Sequence, residues 1–264
     1  MMKIAMIQMN IESGAIEHNR QHGLQLTEKA AAAGAEVIVL PELWTSGYSL
    51  RQVESFAEKE DGPTLRGLKR IAQQYNITIV GGSIAYRRDG AVYNHIPVFN
   101  GKGALTDYQK VHLFSLFKES RFFQSGDKLC LFSIGDWKVG VAICYDLRFP
   151  EMFRTLKLKG ASVIFVPAEW PSIRGANWQV LAQARAVENQ LFICAVNCVG
   201  QHKGQPFYGH SLLVGPDGTI LAEGDDTEQI LYGEVDQTAI LQAEASMTVL
   251  QDRRPELYEG VEKR

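Results

Sequence analysis

The sequence lacks the features that would place the chain in a membrane, in an oxidising compartment or on nucleic acid. No stretch approaches about 18 uninterrupted apolar residues, so the sequence predicts no membrane-spanning helix. Four cysteines in 264 residues are too few for a disulfide scaffold, and the apolar run at residues 4–7 is too short for a signal peptide. We therefore expect free thiols and a cytoplasmic protein. A net charge of −3, from 27 Lys and Arg against 30 Asp and Glu, gives no footprint for nucleic acid or an anionic membrane.

The signatures of several common enzyme classes are also missing. We find no GxxxxGK[ST] phosphate loop, no GxGxxG, no HExxH, no CxxC and no GxSxG. His18 and His22 lie four residues apart on a predicted helix, but no third ligand is evident, so a solvated helix face is the better interpretation. The sequence thus gives no support for a nucleotide cofactor, a catalytic zinc or an α/β-hydrolase serine.

Short apolar runs alternate with longer amphipathic ones along the chain. The pattern predicts strands and helices that interleave, with strands at 3–8, 37–40, 77–80, 162–167 and 192–199, and helices at 19–33, 64–75, 150–159 and 176–188. Turn signals at Asn100-Gly101 and Gly135-Asp136 predict hairpins, which exclude a purely parallel sheet. We expect one α/β domain over residues 1–264, with mixed sheets covered by helices. The charged segment 252–264 is either a frayed tail or an arm on a partner subunit.

One of the four cysteines differs from the others in its sequence context. Cys130, Cys194 and Cys198 lie in apolar runs, and the last two are predicted on the same face of one strand, which favours core packing. Cys144 ends the apolar run 139–143 and is followed at once by polar residues. The carboxyl end of a strand is where sites form in α/β folds, and exposed backbone N–H groups there would favour a thiolate. At this point two interpretations of Cys144 remain open: it is a nucleophile, or it is one more buried thiol.

Two other predicted strand ends carry residues able to work with such a thiol. Glu42 follows the strand at 37–40, beside Trp44, and burial there would raise its carboxyl pKa and make it a base near neutral pH. Lys110 follows the strand at 103–108, where a surface charge is the commoner fate of a lysine.

Three segments, in this order, resemble the nitrilase, or carbon–nitrogen hydrolase, superfamily. They are Pro41-Glu42-Leu43-Trp44, Lys110-Val111-His112-Leu113-Phe114 and Cys144-Tyr145-Asp146-Leu147-Arg148-Phe149-Pro150-Glu151. The resemblance runs from the first strand to residues 253–258. It implies a four-layer α-β-β-α sandwich of mixed sheets. It also implies a homodimer or higher homo-oligomer, in which two sandwiches join.

The same resemblance implies roles for individual residues. Cys144 would attack an amide carbon, Glu42 would take the thiol proton, and Lys110 with the backbone N–H of Tyr145 would face the oxyanion. Ammonia would leave, water would hydrolyse the thioester, and no metal or organic cofactor would be needed. Glu119 is the best candidate for the family's second glutamate, with a solvated loop charge as the alternative.

Within the superfamily, the segment from Cys144 is most similar to the Nit-type amidases, which include the ω-amidases. These hydrolyse the terminal amide of small carboxylate-bearing amides such as 2-oxoglutaramate. Arg148 would bind the substrate's distal carboxylate, or would instead pair with Asp146 or Glu151. The region of Trp170, Pro171 and Trp178 would line the pocket wall. True nitrilases typically carry Trp-Glu after the cysteine, which this chain lacks. An N-carbamoyl amino-acid hydrolase, an aliphatic amidase, a nitrilase and a non-catalytic scaffold protein are the alternatives.

Overall fold

Two sheets of mixed strand direction form the centre of the molecule, which a computed structural model describes over residues 1–258. The helices are α1 (Ile16–Ala32), α2 (Val53–Phe56), α3 (Pro63–Tyr75), α4 (Pro150–Leu158), α5 (Gly175–Asn189) and α6 (Gln237–Ser246). The strands are β1 (Met2–Gln8), β2 (Asn10–Glu12), β3 (Val37–Val39), β4 (Thr78–Val80), β5 (Ile84–Arg88), β6 (Ala91–Asn100), β7 (Gly103–Gln109), β8 (Cys130–Ile134), β9 (Trp137–Val141), β10 (Val163–Pro167), β11 (Phe192–Val196), β12 (Val199–His202), β13 (Gln205–Pro206), β14 (Leu212–Val214), β15 (Ile220–Glu223) and β16 (Gln229–Val235).

The first sheet has the strand order β16-β1-β3-β4-β6-β5, with β7 paired to β6. The second has the order β15-β14-β11-β10-β9-β8, and a small third sheet joins β13, β12 and β2. The strands β1, β3 and β4 run parallel, as do β9, β10 and β11, while the hairpins β6–β7 and β8–β9 are antiparallel. The predicted hairpins and mixed sheets are confirmed.

The molecule has four layers, because side chains along each strand point alternately to the two faces of its sheet. On β1, Ile4 and Met6 face the second sheet and share one core with Val139 and Val141, whereas Ala5 packs with the helix side. The helices α1 and α3 cover the outer face of the first sheet, on which Ala5 lies. The helices α4 and α5 cover the outer face of the second sheet. Because side chains on a strand alternate, each sheet buries both of its faces. The result is the expected α-β-β-α order.

Most predicted elements agree with the structure to within a few residues, but one strand does not. The strand predicted at residues 192–199 ends at Val196. Cys194 lies in the core between the sheets, whereas Cys198 lies in the core under α1 and α3. The prediction that Cys194 and Cys198 share one strand face is therefore wrong, because the chain leaves the strand between them.

The ends of the described chain limit two of the predictions. Within residues 1–258, no helix is both long and apolar enough to span a bilayer. Of the segment 252–264, the last six residues lie outside the described part, and the rest includes a short 3₁₀ turn at Pro255–Leu257. Its role as a subunit arm, and the assignment of residues 1–264 to one domain, stay predictions.

Candidate active site

Polar side chains collect where strands of both main sheets end. Glu42 follows β3 and Lys110 follows β7 in the first sheet, while Cys144 and Glu169 follow β9 and β10 in the second. The backbone joins the two groups, since the N–H of Glu42 donates to the carbonyl of Ala168 at 3.3 Å. The sheets therefore meet at this edge and bring four strand ends to one place.

A fully buried ion pair forms the centre of the site. Lys110 Nζ lies 2.7 Å from Glu42 Oε1, and both side chains have no exposed surface. The same Glu42 oxygen accepts from Asn94 Nδ2 at 2.8 Å, while Oε2 accepts from the backbone N–H of Glu169 at 3.0 Å. Burial opposes charge on Lys110, but the carboxylates of Glu119 and Glu42 outweigh it and raise its pKa above the ordinary value. Lys110 thus stays protonated, and its surface-charge interpretation is excluded.

Glu119 completes this buried cluster. It lies in a 3₁₀ turn, Glu119–Arg121, and its Oε1 accepts from Lys110 Nζ at 3.0 Å and from the Tyr48 hydroxyl at 2.7 Å. Its Oε2 accepts from the backbone N–H of Phe114 at 2.9 Å. Because the side chain is fully buried, it is no solvated loop charge. Burial, followed by the repulsion of Glu42, raises the pKa of Glu119.

Cys144 sits in a tight turn that a buried aspartate holds. The residue has φ of +44°, a left-handed conformation that side chains other than glycine seldom adopt. Asp146 Oδ2 accepts from the Ile143 N–H at 2.8 Å and from the Tyr108 hydroxyl at 2.8 Å, and Oδ1 accepts from the His112 backbone at 3.0 Å. These bonds stabilise the turn and fix the direction of the thiol, as strained residues at functional sites require.

The thiol is protonated in the resting site. Burial and then the charge of Glu42 raise the pKa of Cys144 well above its ordinary value, although Lys110 acts in the opposite direction. A backbone N–H acts in the direction that the sequence predicts and favours a thiolate, but desolvation and the adjacent carboxylate outweigh it. The Glu42 carboxylate, whose charge acts on the thiol, is the acceptor that its proton needs.

A small pocket of about 20 Å³ opens onto Cys144. Tyr145, Arg148, Trp170 and Pro171 line it, as the sequence predicts, and Arg174 adds a second guanidinium. Trp178 does not line the pocket but packs behind Trp170, with 5.3 Å between the ring centroids. Arg148 does not pair with Asp146 or Glu151; its guanidinium instead lies 4.9 Å from the Trp170 ring centroid and 3.5 Å from Asn177. Both arginines therefore face a largely aromatic cavity without a carboxylate partner among residues 1–258.

Glu169 is the residue that the sequence reasoning missed. It is about 1% exposed, lines the pocket and makes no side-chain hydrogen bond within the described chain. Burial and then the charge of Glu42 raise its pKa well above the ordinary value, which favours the neutral carboxylic acid. An acidic residue directly after an apolar strand is the same signal that singled out Glu42, and it could have found Glu169. Tyr48 and Asn94 carried no such signal.

Comparisons with known proteins agree with this arrangement. Residues 3–244 match the model of the family described as carbon–nitrogen hydrolase. A 2-oxoglutaramate amidase from Bacillus subtilis is 38% identical, with 97% of this chain and 98% of that protein covered, and an omega-amidase from Mus musculus is 31% identical, with 97% and 96% covered.

Solved structures show the same likeness. A superfamily protein from Xanthomonas campestris, with an arsenic adduct in its active site, aligns with a TM-score of 0.90 at 29% identity over 96% of this chain and 97% of that one. An amidase from Nesterenkonia sp. AN1, whose active-site cysteine has added acrylamide, aligns with a TM-score of 0.86 at 27% identity over 98% of both chains. The chain belongs to the carbon–nitrogen hydrolase family.

Proposed function

We propose that this enzyme hydrolyses the terminal amide of a small carboxylate-bearing amide, of the type that 2-oxoglutaramate represents, through a thioester on Cys144. The observation that carries the proposal is the electrostatic interaction of the buried Cys144 thiol with the Glu42 carboxylate, which lies 2.7 Å from a buried ammonium group. The activities of the Bacillus subtilis and Mus musculus relatives support the choice of substrate.

The first half of the reaction forms the thioester. As the Cys144 sulfur bonds to the amide carbon, its proton passes to Glu42, so no free thiolate has to exist in the buried site. The amide oxygen becomes an oxyanion that Lys110 stabilises with the backbone N–H of Tyr145. Glu42 then returns the proton to the nitrogen, the carbon–nitrogen bond breaks and ammonia leaves.

The second half of the reaction restores the enzyme. Glu42 takes a proton from water, whose oxygen attacks the thioester carbon, and the sulfur leaves as it regains that proton. Amide and water thus become carboxylic acid and ammonia. Glu119 contacts Lys110 but not the Cys144 turn, and we infer that it holds the ammonium in place through its 3.0 Å bond.

Arg148 gives the pocket its preference for a carboxylate. A guanidinium without a carboxylate partner, set against an aromatic wall, can bind a substrate carboxylate through two parallel hydrogen bonds. We expect Arg148→Met to lower kcat/KM on succinamate by about 10- to 100-fold and on the neutral butyramide by no more than about twofold. An equal loss on both amides would contradict this role.

The test of the proposed function is ammonia release from a panel of substrates. The panel contains 2-oxoglutaramate, succinamate, butyramide, an N-carbamoyl amino acid and a nitrile, and we expect the first two to react fastest. The Cys144→Ala variant, with circular dichroism as the check on folding, should lose at least about 10³-fold in kcat. Preference for the carbamoyl compound or the nitrile would overturn the substrate class, and turnover by Cys144→Ala would overturn the mechanism.

We also propose that the protein acts in the cytoplasm as a homodimer or higher homo-oligomer. Free cysteines at all four positions support a reducing compartment. Exposed apolar side chains on α5 and α6 support a subunit contact there, namely Val180, Val187 and Leu241. Light scattering during size-exclusion chromatography tests the assembly, and a monomer at micromolar concentration would overturn it.

A further inference from the structure

A second and larger cavity opens beside the active-site pocket. It has a volume of about 750 Å³, against about 20 Å³ for the pocket at Cys144. The two share Tyr48, Phe117 and Pro171 as lining residues, so they lie side by side. Four loops enclose it, which carry residues 13–14, 49–52, 117–122 and 202–205. We call this space the basic vestibule, after the residues described next.

The charge on the lining of the basic vestibule is of one sign. Arg51, Lys118, Arg121 and Lys203 line it, and none of its lining residues is an aspartate or glutamate. Within residues 1–258 none of these four side chains forms an ion pair with a carboxylate. His202 stays neutral at pH 7, because burial and then the charge of Lys203 lower its pKa. Four positive charges therefore face one concave space in a chain whose net charge is −3.

A third cavity differs from the basic vestibule in the charges of its lining residues. It has a similar volume, about 910 Å³, and basic residues line it too, but acidic ones accompany them: Glu60, Asp61, Asp89 and Asp107. Two ion pairs illustrate the balance, since Arg88 contacts Asp107 at 2.6 Å and Arg87 contacts Glu54 just outside the cavity. Basic residues thus line both cavities, but of these two only the one beside the active-site pocket keeps them apart from acidic residues.

We propose that the basic vestibule is a subsite that binds an anionic group at the far end of an extended substrate, outside the small pocket that Arg148 lines. The substrate class is then an extended amide whose acyl part ends in one or more carboxylates. The proposal rests on the proposed function, since it assigns a place to the part of the same substrate that remains outside the small pocket.

Physical reasons support a subsite over a surface patch. Several like charges around a low-dielectric concavity focus the field on its interior and attract anions there. Guanidinium groups bind carboxylates in a fixed, two-bonded geometry, which gives specificity as well as attraction. Leu50, Phe117 and Phe207 supply an apolar wall for the connecting part of the ligand, and this mixture of apolar walls and few polar groups is typical of ligand sites.

The experiment compares three amides that share one reacting end. These are succinamate, N-succinamoyl-aspartate and the uncharged dimethyl ester of the latter, each followed by ammonia release. We expect wild-type kcat/KM to be about tenfold higher for the aspartate compound than for its ester, because several weak ion pairs of this kind add together. The advantage should shrink as NaCl rises from about 50 mM to about 500 mM, since salt screens exposed charges.

A pair of matched double variants locates the effect. Arg51→Gln with Lys203→Gln removes two charges from opposite loops of the basic vestibule, away from Glu119. It should lower kcat/KM about fivefold to tenfold on the aspartate compound and no more than about twofold on succinamate. The control, Arg66→Gln with Lys69→Gln, removes one Arg and one Lys from the balanced cavity and should change neither value.

The outcomes separate the two proposals. If wild type hydrolyses succinamate but gains nothing from the charged tail, the subsite is overturned while the proposed function stands. An equal loss on both substrates in the Arg51/Lys203 variant would also overturn it, since that result indicates general attraction of anions. If no amide of the panel releases ammonia, the proposed function itself fails. A variant with altered oligomeric state would show that the vestibule is a subunit contact instead.

Discussion

Cys144 and Cys194 are both buried thiols near the middle of the second sheet, and burial raises the pKa of each. Cys194 lies within β11, where apolar side chains surround it. Cys144 lies one turn beyond the end of β9, in a left-handed conformation, next to a carboxylate and an ammonium group. The comparison teaches that reactivity here does not come from a lowered thiol pKa. In the proposed mechanism it comes from a base that can take the proton during the attack.

The largest effect should follow from making the surroundings of Cys144 more like those of Cys194. Glu42→Gln keeps a hydrogen-bonding side chain but removes the base, and we expect kcat to fall about 10²- to 10⁴-fold at pH 7. Because the negative charge of Glu42 raises the thiol pKa, its loss should lower that pKa. The residual activity should therefore rise with pH, together with the rate of alkylation by iodoacetamide. A variant with wild-type kcat would remove Glu42 from the mechanism.

Lys110→Met tests the other partner of the thiol. It removes the oxyanion contact, and we expect kcat to fall about 10²- to 10³-fold. It also leaves Glu42 and Glu119 as an uncompensated buried pair, which should cost about 3–5 kcal/mol of unfolding free energy in urea denaturation. Lys157→Met, which removes a lysine from a partly exposed ion pair with Glu244, is the control and should cost much less. Similar losses in both variants would contradict the special role of the buried cluster.

Substitution of Glu169 should have a smaller effect on catalysis, and it should change how the stability of the protein depends on pH. Its neutral acid lines the pocket, so Glu169→Gln should retain most activity, whereas Glu169→Leu should lose about tenfold in kcat/KM. A raised folded-state pKa means that the folded protein binds the proton more tightly than the unfolded chain. Wild-type stability should therefore fall relative to Glu169→Gln as pH rises from about 4.5 towards the folded-state pKa. Melting temperatures of both proteins between about pH 5 and pH 8 measure this difference, and parallel curves would refute it.

The smallest effect on catalysis should come from Cys194 itself. Cys194→Ala leaves every group of the active site in place, so kcat and KM should match those of wild type. The substitution should lower the free energy of unfolding by about 1–2 kcal/mol in urea denaturation, because it opens a small cavity in the core. A kinetic defect without any loss of stability would break the contrast with Cys144.

Much of the fold could be predicted from the sequence. The site could be predicted at those residues whose local sequence pattern was distinctive. Glu42, Lys110 and Cys144 each follow an apolar strand, and alternation predicted mixed sheets covered by helices. The direction of the Cys144 pKa shift was not predictable in this way, since it depends on burial in the folded site and then on a carboxylate about a hundred residues earlier in the chain. The separation of Cys194 from Cys198 depends on where β11 ends, and strand boundaries are the weakest part of such reasoning.

Contacts made only through the tertiary fold account for the rest. Tyr48 and Asn94 reach Glu42 from a loop and from β6, and neither has a distinctive local sequence. The place of Glu119 in the site was predicted only through the family resemblance, because its own segment is equally typical of a solvated polar loop. The basic vestibule combines side chains from four loops. Its cluster of positive charge could therefore not be predicted from a sequence whose acidic and basic residues are nearly balanced in number.

The central claim is that Cys144 carries the acyl group between the two halves of the reaction. Rapid chemical quench of the enzyme with 2-oxoglutaramate, followed by intact-protein and peptide mass spectrometry, tests it most directly. We expect an adduct equal to the substrate minus ammonia, on the peptide that contains Cys144, absent from Cys144→Ala and still present in Cys194→Ala. Turnover without such an adduct, or an adduct on another residue, would contradict the account.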